Sequence, residues 1–155
     1  MAGGRKLQDV QTYARAVEAG GLDGMVFVES GRTAYLSVAA AALAAPSLQY
    51  STGVAVAFPR SPMVTAKVAW ELQDATGGRF RLGLGTQVRA HIERRYGVEF
   101  DPPGPRIREY VQALKAIFPA FRGEAKLDFD GDYHTLSLLP AMWSPGSIEQ
   151  ADPPV

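Results

Sequence analysis

Hydrophobic positions along the chain follow two spacings, one typical of helices and one typical of strands. The apolar residues from Leu7 to Val17 recur every three to four positions, which places them on one face of a helix that the glycines at 20 and 21 end. Comparable stretches predict three more helices, at 34–45 after a Thr33 cap, from Pro62 to the glycines at 77–78, and at 105–121.

Three apolar runs between these helices predict strands. They lie at 24–29, 51–57 and 80–85, and the strand starts, near Met25, Thr52 and Phe80, are spaced by 27 and 28 residues. A strand and a helix that alternate at this period are typical of βα units, which build a parallel sheet. The sequence therefore predicts an α/β fold with about three parallel strands.

The remainder of the chain carries weaker signals. Residues 127–133 predict a small hairpin around Asp130 and Gly131. From Ala141 onward the chain is rich in proline, serine and acidic residues, which favours a poorly ordered tail. We therefore expect a folded segment at 1–140 and a disordered tail at 141–155.

Charge and composition narrow the classes of function. Sixteen basic and sixteen acidic residues give a formal net charge of zero, so nothing favours nucleic acid or an anionic membrane as a partner. No apolar run approaches the length of a membrane span. The absence of cysteine excludes disulfides and a cysteine nucleophile, and it fits a cytoplasmic location. The two histidines are far apart, with no clustered carboxylates between them, so no metal site is predicted.

Three motifs resemble the bacterial luciferase-like oxidoreductases, above all the actinobacterial subgroup that uses a deazaflavin coenzyme. They are FPRSPMV at 58–64, GGRFRLGLGTQ at 77–87 and HIERRYG at 91–97, within a resemblance that extends from Leu7 to Tyr133. The resemblance implies a (βα)₈ TIM barrel, which needs about 250 residues. A chain of 155 residues thus indicates the N-terminal segment of a luciferase-like barrel, and the alternative is a small three-layer α/β domain.

The resemblance also implies roles at the carboxyl ends of the strands, where barrel enzymes carry their active sites. Gly53, Val54 and Ala55 match positions that support the coenzyme ring, often with a bulge and a non-proline cis peptide. Small residues let the backbone approach a ring closely, although core packing alone also explains them. Glu29 matches a polar position near the substrate or the ring. The alternative is a carboxylate that caps a helix or pairs with Arg32.

Two further candidates follow the third strand. Gly83 and Gly85 resemble a dinucleotide fingerprint, but Val88 occupies the third glycine position, so a Rossmann site is a poor interpretation. Thr86 offers a polar group at the strand end for the cofactor. His91 matches a position that lines the cofactor pocket, where an imidazole can bind an oxygen atom or carry a proton. The alternative for His91 is an ordinary surface histidine.

These assignments predict a flavin- or deazaflavin-dependent oxidoreductase. The expected cofactor is a deazaflavin of the F420 type, and FMN is the alternative. The reaction would be hydride transfer or monooxygenation on a small organic molecule, with His91 and Glu29 as catalytic candidates. The rival hypothesis is a catalytically silent α/β fragment that self-associates, because the family's phosphate contacts come largely from the second half of the barrel. In either case the open sheet edges favour a homo-oligomer.

Overall fold

Helices and short strands alternate along the chain in the computed structural model, which describes residues 4–155. In chain order the elements are α1 (Leu7–Ala19), β1 (Gly24–Phe27), α2 (Ala34–Ala44), β2 (Gln49–Thr52), β3 (Ala55–Val56), α3 (Pro62–Ala75), β4 (Phe80–Arg81), β5 (Leu84–Gly85), α4 (Arg89–Arg95), α5 (Pro103–Arg122), β6 (Phe129–Asp130) and β7 (Thr135–Leu136), followed by a 3₁₀ turn at Ala141–Trp143. They belong to two units. The first contains residues up to 55, 68–84 and 150–155, and the second contains 56–67 and 85–149.

A parallel three-stranded sheet forms the centre of the first unit, as the spacing of the strands predicts. Its spatial order is β1-β2-β4, with Met25 opposite Tyr50 and Tyr50 opposite Phe80. These three side chains are buried, whereas Val26 and Arg81, one position along their strands, are exposed. One face of the sheet therefore lies under helices, in the alternation that β-strands require.

Helix boundaries follow the sequence signals closely. The Ser61 hydroxyl accepts a hydrogen bond from the Val64 amide at 3.2 Å, which confirms the predicted cap of α3. Gly77 and Gly78 both have positive φ, as expected where the helix ends. The predicted Thr33 side-chain cap is wrong: Thr33 precedes α2 but makes no side-chain capping bond.

Two predicted strands are each interrupted in the structure. The run 51–57 divides into β2 and β3, and the run 80–85 divides into β4 and β5. β3 and β5 form a separate two-stranded sheet. The Ala55 amide donates to the Gly83 carbonyl at 2.8 Å, so hydrogen bonding resumes after the first interruption. The same two runs pair on both sides of the interruptions, and hydrophobic pattern alone does not reveal where the pairing breaks.

Residues 150–155 contribute to the first unit. The Leu82 amide donates to the Pro154 carbonyl at 2.8 Å, and the Gln73 side-chain amide donates to the Ala151 carbonyl at 3.0 Å. Pro153 is buried. The division into a folded segment at 1–140 and a disordered tail at 141–155 stays a prediction.

Helix α5 and a hairpin form most of the second unit. Tyr110, Leu114 and Ile117 are buried along α5, which begins two residues earlier than predicted. Strands β6 and β7 pair antiparallel, so the hairpin exists but extends beyond the predicted 127–133. The Glu109 carboxylate of α5 accepts hydrogen bonds from three successive backbone amides of the hairpin loop, those of residues 132, 133 and 134, at 2.7–2.8 Å. This contact fixes the hairpin loop to the helix.

Candidate active site

The segment that follows β2 carries the most distinctive backbone of the first unit. The peptide bond between Gly53 and Val54 is cis, as the resemblance implies for a non-proline position there. The Gly53 amide donates to the Phe27 carbonyl at 2.8 Å. The Glu29 amide donates to the Val54 carbonyl at 3.3 Å. Three of the predicted site residues, Glu29, Gly53 and Val54, therefore lie together where β1 and β2 end.

An exposed apolar surface surrounds the cis peptide. Val26 and Val54 are 45% and 44% exposed, and Gly53 between them is exposed as well. A Cβ atom on Gly53 would lie 2.6 Å from Cγ1 of Val26, so only glycine fits without displacing that side chain. Ala55 is completely buried and presents no side-chain surface to a ligand. Of the three predicted ring-supporting residues, Gly53 and Val54 are thus the accessible ones.

The side chain of Thr52, the last residue of β2, links this segment to Gly83, and the sequence did not reveal this contact. Its hydroxyl donates to the Gly83 carbonyl at 2.7 Å and accepts from the Gly83 amide at 2.9 Å. The side chain is 3% exposed. A Cβ atom on Gly83 would collide with the Thr52 carbonyl oxygen, so glycine is required for this approach. The pairing joins residues 31 apart, and no local signal marks it.

Thr86 and Gln87 follow β5 in the second unit. The Thr86 hydroxyl donates to the Gln87 carbonyl at 2.9 Å. Gln87 has a φ of 62°, which non-glycine residues seldom adopt, and its side-chain oxygen accepts from the Val88 amide at 3.1 Å. The backbone thus turns sharply after β5 and leaves Thr86 half-buried.

His91 lies in the first turn of α4, and its side chain is exposed. Its amide donates to the Val88 carbonyl at 3.0 Å. On the same helix, Arg89 forms ion pairs with Glu93 and Asp101. The hydrogen bond that Arg89 donates to the Asp101 carboxylate raises the pKa of Arg89. The His91 imidazole on α4 is therefore exposed, and Arg89 on the same helix is already paired with carboxylates.

The predicted residues divide between the two units. Glu29, Gly53, Val54 and Ala55 belong to the first, and Thr86 and His91 belong to the second. Each of them lies at or after the carboxyl end of a strand, in agreement with the topology of the repeat. Among residues 4–155, no helix is long and apolar enough to cross a membrane.

Parallel βα units with their distinctive segments at the strand ends define part of a (βα)₈ barrel. The sequence model of the luciferase-like monooxygenases matches residues 1–155, and the chain belongs to this family. The predicted family and the predicted partial barrel are both confirmed.

The chain is similar in sequence to an uncharacterized protein and similar in fold to proteins whose cofactors are named. An uncharacterized protein of Mycobacterium tuberculosis is 41% identical over 132 residues, which cover 85% of this chain and 39% of that protein. The oxygenating constituent of 3,6-diketocamphane monooxygenase from Pseudomonas putida, solved with FMN, has a TM-score of 0.72 at 18% identity, over 97% of this chain and 48% of that one. The coenzyme F420 dependent tetrahydromethanopterin reductase from Methanopyrus kandleri has a TM-score of 0.69 at 18% identity, over 84% and 41%. The chain spans about two fifths of the length of the curated relatives it matches.

Proposed function

We propose that the segment after β2 forms the ring-binding part of a flavin-type oxidoreductase, and that the cofactor is a deazaflavin of the F420 type, with FMN as the second candidate. The observation that carries the proposal is the exposed apolar surface of Val26, Gly53 and Val54 around the cis peptide. Structural neighbours with F420 and with FMN support both cofactors. A cytoplasmic location and a small organic substrate remain predictions.

The residues present fit one face of a planar ring. Gly53 has no side chain above the backbone. Val26 and Val54, which are each about 45% exposed, provide apolar surface beside it. Burying such surface against a ring is favourable by roughly 25 cal/mol per Å². A flavin or deazaflavin, when bound, supplies the hydride chemistry.

The chain's own polar groups would bind and orient what lies beside the ring. Glu29 is anchored through its backbone to Val54, so its side chain begins next to the proposed ring surface. We assign it to a polar contact with the substrate or the ring. Thr86 and His91 are assigned on the resemblance: the hydroxyl as a cofactor contact, and the imidazole as a group that binds an oxygen or holds a proton.

The test is a titration of the 155-residue chain with FMN and with F420, followed by the fluorescence of each ligand. We expect saturable binding to one of them. Gly53→Ala should weaken it about tenfold or more, because the new Cβ displaces Val26 from the ring surface. Gly104→Ala is the matched control, since its Cβ would meet nothing within 4 Å.

Two results would overturn the proposal. One is no saturable binding of either ligand by a chain shown to be folded by circular dichroism, which would favour the catalytically silent alternative. The other is binding that Gly53→Ala and Gly104→Ala leave equally unchanged, which would place the cofactor elsewhere. His91→Ala and Glu29→Gln, measured in the same titration, test the two polar assignments separately.

A further inference from the structure

An apolar groove with a lysine on its wall lies between the start of α3 and the segment that follows β7. Its volume is about 270 Å³. Met63 and Lys67 line it from α3, where the spacing i, i+4 places both side chains on one side of the helix. The other lining residues come from the segment after β7 and are Leu138, Leu139, Pro140 and Trp143. We call this set of residues the Trp143 groove, and all of it belongs to the second unit.

Backbone hydrogen bonds hold Trp143 at the groove. Its amide donates to the Pro140 carbonyl at 2.8 Å, and the Ser144 amide donates to the Ala141 carbonyl at 3.2 Å, which closes the 3₁₀ turn. The side chain of Trp143 is nevertheless 61% exposed, and that of Leu138 is 77% exposed. Isolated exposed apolar residues are ordinary, but large ones that cluster along a concave surface are typical of a ligand-binding groove.

Lys67 brings a positive charge to this apolar lining. Its ammonium lies 6.0 Å from the centroid of the Trp143 ring. That separation is the outer limit of a cation–π contact, so the ring offsets little of the charge. Within the described residues 4–155, Lys67 forms an ion pair with no carboxylate. An anion that enters the groove therefore meets a cation for which no carboxylate of this part of the chain competes.

We propose that the Trp143 groove binds a small aromatic carboxylate, with the carboxylate on the Lys67 ammonium and the ring against Met63 and Trp143. An ammonium donates charge-assisted hydrogen bonds to a carboxylate. Methionine sulfur and the tryptophan ring both make favourable contacts with aromatic rings. The groove is slightly smaller than the roughly 300–1,000 Å³ of pockets that take drug-sized ligands, so its volume suits a molecule with a single ring.

Calorimetric titration of the 155-residue chain with phenylpropionate tests the proposal. We expect saturable binding. Phenylpropanamide has the same shape without the charge and should bind about tenfold more weakly. Cyclohexylpropionate keeps the carboxylate and lacks the aromatic ring, so it should bind about fivefold more weakly. Tryptophan emission gives a second readout, because Trp143 is exposed whereas Trp70, the other tryptophan, is buried. Phenylpropionate should therefore protect Trp143 from quenching by acrylamide.

Variants of Lys67 test the position of the carboxylate. Lys67→Met keeps an unbranched side chain and removes the charge, so it should raise the Kd of phenylpropionate about tenfold. Lys67→Arg keeps the charge and should retain most of the binding. Lys115→Met is the matched control, because Lys115 is exposed on α5 and does not line the groove. Circular dichroism establishes that each variant is folded.

Several results would overturn the proposal. One is the absence of saturable phenylpropionate binding by the folded chain, and another is equal binding by Lys67→Met and Lys115→Met. Equal affinity for phenylpropanamide or cyclohexylpropionate would exclude the aromatic carboxylate as the ligand class. A dimer in sedimentation that Trp143→Ala dissociates would show that a second copy fills the groove instead. The outcome does not depend on FMN or F420, because the proposed ring surface of Val26, Gly53 and Val54 belongs to the first unit.

Discussion

The bridge from Thr52 to Gly83 gives a sharp test of how the strand ends are held. Thr52→Val keeps the shape of the side chain and removes the hydroxyl, which makes hydrogen bonds of 2.7 and 2.9 Å to the carbonyl and the amide of Gly83. The carbonyl keeps a second donor, the Ala55 amide at 2.8 Å. The half-buried Gly83 amide loses its acceptor, and we expect the free energy of unfolding to fall by about 2 kcal/mol.

Thr52→Ser is the matched variant because it keeps the hydroxyl and loses only a methyl group. We expect it to cost about 1 kcal/mol, less than Thr52→Val although it leaves a small cavity. Urea unfolding followed by circular dichroism measures both, and an unchanged denaturant slope confirms that the two variants unfold from comparable states. If Thr52→Val proves as stable as Thr52→Ser, the hydroxyl bridge contributes nothing and the reasoning is refuted.

Three further predictions concern other buried contacts. Burial raises the pKa of Glu109, but the hydrogen bonds from the hairpin loop outweigh burial and hold the pKa below 4.5. The stability that these hydrogen bonds provide should be lost as the pH falls through the lowered pKa. Acid unfolding of Glu109→Gln should lack this component, and an acid profile identical to that of the unmodified chain would contradict the prediction. Burial and the nearby Glu18 carboxylate raise the pKa of Tyr50 to about 12, so the free energy of unfolding should decline as the pH rises above 10. Tyr50→Phe should abolish that decline, and urea unfolding at alkaline pH measures it. Gly83→Ala should prevent accumulation of folded protein in a solubility and circular dichroism assay, whereas Gly104→Ala should not; a folded Gly83→Ala chain would show that the close approach to Thr52 is not required.

The helices were predictable from the sequence because their signals are local. The spacing of apolar residues and the glycines at 20–21 and 77–78 fix α1 and α3 to within a residue or two. The parallel order of β1, β2 and β4 followed from the βα period for the same reason. These features depend on neighbours along the chain, which one sequence displays.

The interruptions of the strands depend on contacts between distant residues. The approach of Gly83 to Thr52 requires a register between two strands, and a glycine in a strand pattern does not say what it approaches. The contact between Glu109 and the hairpin loop is of the same kind, since residues 23 to 25 apart form it. The family resemblance placed the cis peptide at Gly53, whereas hydrophobic pattern alone gave one continuous strand at 51–57.

The contribution of residues 150–155 to the first unit has a consequence for synthesis on the ribosome. The sheet β1-β2-β4 has all its strands once residue 81 has emerged, but the Leu82 amide and the Gln73 side chain find their carbonyl partners only in residues 151–154. Between these two moments about seventy residues, almost all of the second unit, are added to the nascent chain. The Leu82 amide and the Gln73 side chain of the first unit therefore lack these partners while most of the second unit is translated, and unpaired strand edges of this kind make a nascent chain prone to aggregate.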